Sequence, residues 1–142
     1  NKLLPQNDRL VRLWLKDFSR WKISENVYFQ NTLVSIQAPS NLQKVIGEAV
    51  STKFTVRQDA PLIIGFRGEE HDFKMSNSRN KHVISGSFVL TNNQGDIVWS
   101  SNQIEKFGIS TNKEASRRAA YTEFSKDIKF FILPQITRNL NY

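Results

Sequence analysis

Residues 81–100 read KHVISGSFVLTNNQGDIVWS, and the reading of this stretch decides the fold. His82, Ile84, Gly86, Phe88 and Leu90 alternate with Val83, Ser85, Ser87 and Val89, the period of a strand with two different faces. TNNQGD, residues 91–96, supplies a turn, because Asn and Gly tolerate positive φ. The chain then returns through DIVWSSNQIEKFGI, residues 96–109, as one partner strand. Upstream, PLIIGFRG opens a strand after Pro61 that is expected to continue, past an irregularity near Gly68, toward Phe73. SNSRN, residues 76–80, is a turn between the two, so three antiparallel strands form a meander.

A helix is expected on each side of this meander. In PSNLQKVIGEAVSTKF, residues 39–54, Ser40 and Gln43 have the spacing of a capping box, and Leu42, Val45, Ile46, Ala49, Val50 and Phe54 mark one face at helical period. Gly47 lies off that stripe, where it would admit a close neighbour at some cost in propensity. In STNKEASRRAAYTEFSKDIKFFIL, residues 110–133, Thr111 and Glu114 repeat the capping spacing. Ala120, Tyr121, Phe124, Ile128, Phe131 and Ile132 form the apolar stripe, and Pro134 stops or kinks the helix.

The amino-terminal third is less determinate. Residues 8–22, DRLVRLWLKDFSRWK, fit a helix through positions 10, 11, 14, 15, 18 and 21. They also alternate as a strand over 10–16, with Val11, Leu13 and Leu15 on one side and Arg12 and Lys16 on the other; the strand uses Leu13 and is preferred. VYFQNTLVSI, residues 27–36, is aromatic and β-branched and reads as a strand. The order is β-β-α-β-β-β-α, with the first element helical in the alternative. This is an α+β fold, a mainly antiparallel sheet with two amphipathic helices on one face, in a single domain over residues 1–142.

Bulk properties narrow the function. Apolar content of 39% allows one proper core, and no apolar run approaches the length of a membrane span. NKLLPQNDRL, the first ten residues, lacks the apolar centre of a signal peptide. The absence of cysteine excludes disulfides and thiolate chemistry within these residues. The net charge of +7 is unevenly placed. Residues 1–24 hold six Lys or Arg against two Asp, residues 25–108 hold eight of each sign, and residues 109–142 hold six against three. If the two ends meet, they make one basic face suited to phosphate, lipid headgroups or an acidic partner.

The candidate binding residues follow from that excess: Arg118, Lys126, Lys129, Lys113 and Arg117 on the final helix, with Arg12 and Lys16 near the start. At 100° per residue Arg118, Lys126 and Lys129 lie away from the apolar stripe. Arg117 lies on it, so its stem would rest on apolar surface or its head would meet an acid of the sheet. Glu114 can pair with Arg118 at i,i+4. The plain alternative is a solvated helix with one snorkelling arginine. Glu69-Glu70-His71-Asp72 concentrates possible metal ligands, but a strand splits them between two faces, so a charged edge is the simpler reading and no metal or cofactor is expected. GFRGEE lacks the lysine of a phosphate loop, and Ser85-Gly86-Ser87 lies inside a strand rather than at a nucleophile elbow. No matched acid and base stand out, so no enzyme is expected. Trp14, Trp21, Trp99 and the ten Phe are assigned mostly to the core.

The run from ISGSFVLTNNQGDIVWSS to NKEASRRAAYTEFSKDIKFFI resembles the closing portion of small Gram-negative envelope lipoproteins, either LptE-like lipopolysaccharide-assembly lipoproteins or the auxiliary lipoproteins of ABC-type transport systems. The resemblance covers roughly residues 40–133 and lies in the order of elements. It implies a non-enzymatic periplasmic protein, tethered through a lipidated cysteine upstream of residue 1, that binds protein components of a transport or assembly machine and sometimes a lipid or membrane surface. KEASRRAA also resembles the start of the second helix of double-stranded-RNA-binding domains, which run α-β-β-β-α; that likeness implies phosphate contacts to duplex RNA instead.

Overall fold

The computed structural model describes residues 32–140. The expectations for residues 8–22 and for the first half of 27–36, and with them Arg12, Lys16, Trp14 and Trp21, lie outside the described residues.

Strand β1 (Leu33–Gln37) leads into helix α1 (Ser40–Val50), then a two-residue strand β2 (Thr55–Val56) and the long strand β3 (Leu62–Lys74). Strand β4 (Asn80–Thr91) turns back along β3, and the return is made by β5 (Ile97–Ser100) and β6 (Ile104–Ser110). Helix α2 (Lys113–Asp127) passes through a π-helical turn (Ile128–Ile132) into α3 (Leu133–Leu140). The sheet order is β2-β1-β3-β4-β5, with β6 pairing β4 along the other half of its length. The β3–β4, β4–β5 and β4–β6 pairs are antiparallel. β1 is parallel to β3, so α1 is the crossover of a β-α-β unit and must lie over one face of the sheet. The α+β expectation holds: α1 and α2 contribute Leu42, Ile46, Ala120 and Phe124 to one core with the inner faces of β3 and β4.

Several local expectations need correction. The β3–β4 ladder runs without interruption from Ile63↔Thr91 to Lys74↔Asn80, so Gly68 marks no irregularity. Gly68 stands opposite Gly86, and a Cβ on either would fall within 2.7 Å of the Phe66 ring. The paired glycines leave room for that ring to lie across the two strands. The return strand is divided, because Ser101 enters the ladder with its side chain. Its Oγ accepts from Phe88 N at 2.8 Å while its own N–H donates to Phe88 O at 2.8 Å.

Neither capping box forms. Pro39 occupies the first cap, where its carbonyl accepts from Leu42 and Gln43, and it carries no side-chain acceptor. Gln43 reaches backward instead, Nε2 to the Ile36 carbonyl at 3.1 Å, fastening α1 to the end of β1. For α2 the cap is Asn112, one residue later than read, with Oδ1 accepting from Ala115 N at 2.8 Å. Glu114 is thereby free to sit 3.7 Å from Arg118.

Pro134 neither stops nor breaks the final helix. The turn before it opens, so that the Leu133 N–H bonds back five residues to Ile128 O, and α3 restarts with Pro134 as its second residue, where a missing N–H costs little. A π-turn inserts one residue into a helix. The buried stripe therefore slips from 124 and 128 to Ile132, Leu133 and Ile136, and Phe131, expected in the core, is 62% exposed beside Phe130 at 67%.

Of the eight Phe described, Phe54, Phe66, Phe88 and Phe124 are buried, and Phe73, Phe107, Phe130 and Phe131 are exposed. Phe66, Phe88 and Phe124 form a triangle with ring centroids 4.8, 5.0 and 5.8 Å apart, joining both long strands to α2. Trp99 packs partly buried against this core. The sheet face opposite α1 and α2 carries Phe73, Phe107 and Ile109, with the Lys81 ammonium 4.4 Å above the Phe107 ring.

Candidate functional site

The position of α2 is set by its tightest contact. A Cβ on Gly108 of β6 would lie 2.4 Å from Ala120 N and 2.5 Å from Ser116 O, so the helix backbone rests directly on the strand there. Small residues on the contact face, Ser116 and Ala120, are both fully buried. At the other end of α2 the buried Asp127 pairs with Lys106 of β6 at 3.3 Å. With α2 pinned and α1 held over β1 and β3, a groove of about 650 Å³ runs between the two helices.

Its charged lining is mostly basic. Among the described residues, Lys44 of α1 and Arg117, Arg118, Lys126 and Lys129 of α2 and the π-turn stand against one acid, Glu48. Val45 and Tyr121 add apolar surface. Four of the candidate cations therefore converge, and the structure adds Lys44, which the sequence reading left out. Lys113 is exposed at the start of α2 and does not line the groove. Lys126 lies 3.3 Å from Glu123 and Arg118 3.7 Å from Glu114, both in exposed pairs that hold little energy and leave the cations available.

Arg117 is placed differently. Its Nε donates to the Tyr121 hydroxyl at 3.3 Å, and the guanidinium stands 5.4 Å from the Tyr121 ring centre. The Tyr121 hydroxyl in turn donates to Glu70 Oε1 at 2.7 Å. Arg117 thus meets an acid of the sheet as expected, but through a tyrosine. The hydrogen bond to Tyr121 is the first reason its pKa is raised above the ordinary arginine value. Burial, then the bond to Glu70, raises the Tyr121 phenol above its ordinary value.

Beneath Tyr121 lies a group that the sequence reading did not assemble. His82 is 4% exposed and stands opposite Asp72 in the β3–β4 ladder. Its Nδ1 lies 2.7 Å from Asp72 Oδ1 and its Nε2 2.7 Å from Glu70 Oε1. A neutral ring has one N–H and can donate to one of these carboxylates; the imidazolium donates to both. Glu69 and His71 pair separately at 3.0 Å, the two-faced split expected of a strand. Because the carboxylates occupy opposite ring nitrogens of His82, their geometry is that of a strand-to-strand brace rather than of convergent metal ligands. Among the described residues no group of three or more His, Cys, Asp or Glu is arranged to hold a metal ion. A larger depression of about 990 Å³, between β1, β2 and the β4–β5 turn, brings only Arg57 and Asp59 as charged groups among the described residues.

No family model matches the chain, and no curated protein matches it in sequence. Solved structures do match in fold. A minor lipoprotein of Acinetobacter baumannii superposes with a TM-score of 0.55 at 11% identity, over 78% of this chain and 92% of that one. A candidate lipoprotein of Caulobacter crescentus gives 0.54 at 14% identity, over 72% and 89%. A protein of Xanthomonas campestris gives 0.55 at 15% identity, over 78% and 87%. At such identities the likeness is one of fold, and the chain has a fold resembling that of bacterial envelope lipoproteins.

Proposed function

We propose that this protein is a non-catalytic binding and assembly component of a bacterial envelope transport or secretion machine, held at the membrane through a lipidated residue upstream of residue 1. The observation that carries the reading is the α1–α2 groove, where five cations face one acid over partly apolar walls. That combination suits an acidic, amphipathic segment of a protein partner, whose carboxylates meet the arginine forks while its apolar side chains cover Val45 and Tyr121. The lipoprotein-like fold and the use of the most ionisable cluster as an internal brace support the same reading.

A photo-crosslinking amino acid at Thr122, a neutral residue of the groove lining, tests it in cells of the parent bacterium. One discrete envelope-protein adduct is expected, lost when Arg117 and Arg118 are both changed to Glu. An adduct that persists in a charge-reversed protein with an unchanged circular-dichroism spectrum eliminates the groove.

A further inference from the structure

We infer that the π-turn presents Phe130 and Phe131 as a contact for an anionic lipid surface. Both rings are more than 60% exposed, although their neighbours Ile128 and Ile132 are buried. In an uninterrupted helix Phe131 would follow Phe124 and Ile128 into the core; the inserted residue turns it out and gives its place to Ile132 and Leu133. Two large apolar side chains are thereby exposed side by side on a well-packed rod, and neither lines the groove between the helices.

The charges around the pair select its partner. Lys129 precedes Phe130, Lys126 lies four residues before it, and Arg138 follows Phe131 by seven residues; all three cations are exposed. From Ile128 to Leu140 the rod has no acidic residue. Exposed aromatics flanked by cations, with Glu123 paired to Lys126 and no acid on the rod beyond Ile128, match an anionic bilayer surface, where rings enter the headgroup boundary and Lys and Arg meet phosphate. A second copy of this chain is a poorer occupant, since it would bring the same cations against these.

Phe130 and Phe131 lie outside the groove while Lys126 and Lys129 border both surfaces, so the test varies the rings and leaves the cations in place. The chain is sedimented with vesicles of phosphatidylcholine alone and of phosphatidylcholine with phosphatidylglycerol. Binding is expected to the anionic vesicles only, to weaken with salt, and to fall about tenfold or more in Phe130→Ser/Phe131→Ser, whose exposed sites leave the circular-dichroism spectrum unchanged. The Ser pair is expected to keep the protein adduct formed at Thr122, which distinguishes loss of vesicle binding from loss of the groove. No binding to anionic vesicles, or undiminished binding by the Ser variant, overturns the inference. So does a dimer in sedimentation equilibrium that the Ser variant abolishes, which would give the rings to a second copy.

Discussion

Tyr121 and Glu70, 51 positions apart in the chain, are joined by a 2.7 Å hydrogen bond that ties the groove wall to the sheet. The same carboxylate oxygen of Glu70 also meets His82 Nε2, so Tyr121 holds both Arg117 above and the strand brace below. Tyr121→Phe keeps the ring and removes the donor. It is expected to destabilise the protein by about 1–2 kcal/mol in urea denaturation, the usual worth of a hydrogen bond to a charged acceptor that remains partly shielded.

The same residue predicts an alkaline effect. Burial and the Glu70 carboxylate raise the phenol above its ordinary value of 10.0, so the folded state holds the proton more tightly than the unfolded chain. The resulting stabilisation is complete below the unfolded value and is lost as pH rises through the folded one. The difference in phenolate absorbance between wild type and Tyr121→Phe should titrate above the ordinary tyrosine range. A difference curve centred at or below the ordinary value would refute the coupling.

Gly108 gives the sharpest steric test. The atoms a methyl group would meet are Ala120 N, Ser116 O and Ala119 Cβ, none of which can rotate away. Gly108→Ala must lift α2 from β6 and is expected to cost about 1–3 kcal/mol, as overpacking does. A denaturation midpoint equal to wild type would show that the helix can shift freely.

Gly47 predicts the opposite sign. The sequence marks it as a place where a neighbour would fit closely, yet nothing lies within 4 Å of a Cβ built there. It sits inside α1, so Gly47→Ala should add about 0.5–1 kcal/mol through the reduced entropy of the unfolded chain. A melting temperature that stays level or falls would mean that the side of α1 facing the larger depression carries a constraint the packing does not reveal.

What could be read in advance divides along physical lines. The strand alternation around Ile84 and Phe88 and the helical stripe of Leu42, Ile46 and Ala49 are local periodicities, and both set the right residues inward. The pairing of β1 with β3 and the meeting of Lys44 with Arg117 depend on where the chain returns, which no local period encodes. Alternation alone puts His82 on one face of its strand with Ile84 and Phe88, and Glu70 with Asp72 on one face of theirs. Their union required the ladder register, set by the Met75–Arg79 hydrogen bond of the intervening turn. Gln43 and Asn112 show why cap positions slip: with Pro39 at the first cap, Gln43 reaches another acceptor, and at the second cap Asn112, adjacent to Thr111, takes the bond to Ala115 N.

Phe131 marks the one large error of periodicity, and its cause can be tested. Pro134 cannot donate to the carbonyl four residues before it, and in an unbroken α-helix its ring would clash with that turn at a cost of about 3 kcal/mol. The π-turn avoids the clash and also brings Ile132, Leu133 and Ile136 into the core. Deleting Phe130 removes the inserted residue and leaves those three at ordinary α-helical spacing behind Phe124 and Ile128. It also returns the proline to a helix interior. The deletion alone should therefore lose about 3 kcal/mol, and adding Pro134→Ala should recover most of it. Recovery measured by chemical denaturation, with helical circular dichroism at least equal to wild type, establishes the proline as the reason for the turn. If Pro134→Ala restores nothing, the turn is held by core packing alone, and the exposed phenylalanines owe their place to Ile132 and Leu133.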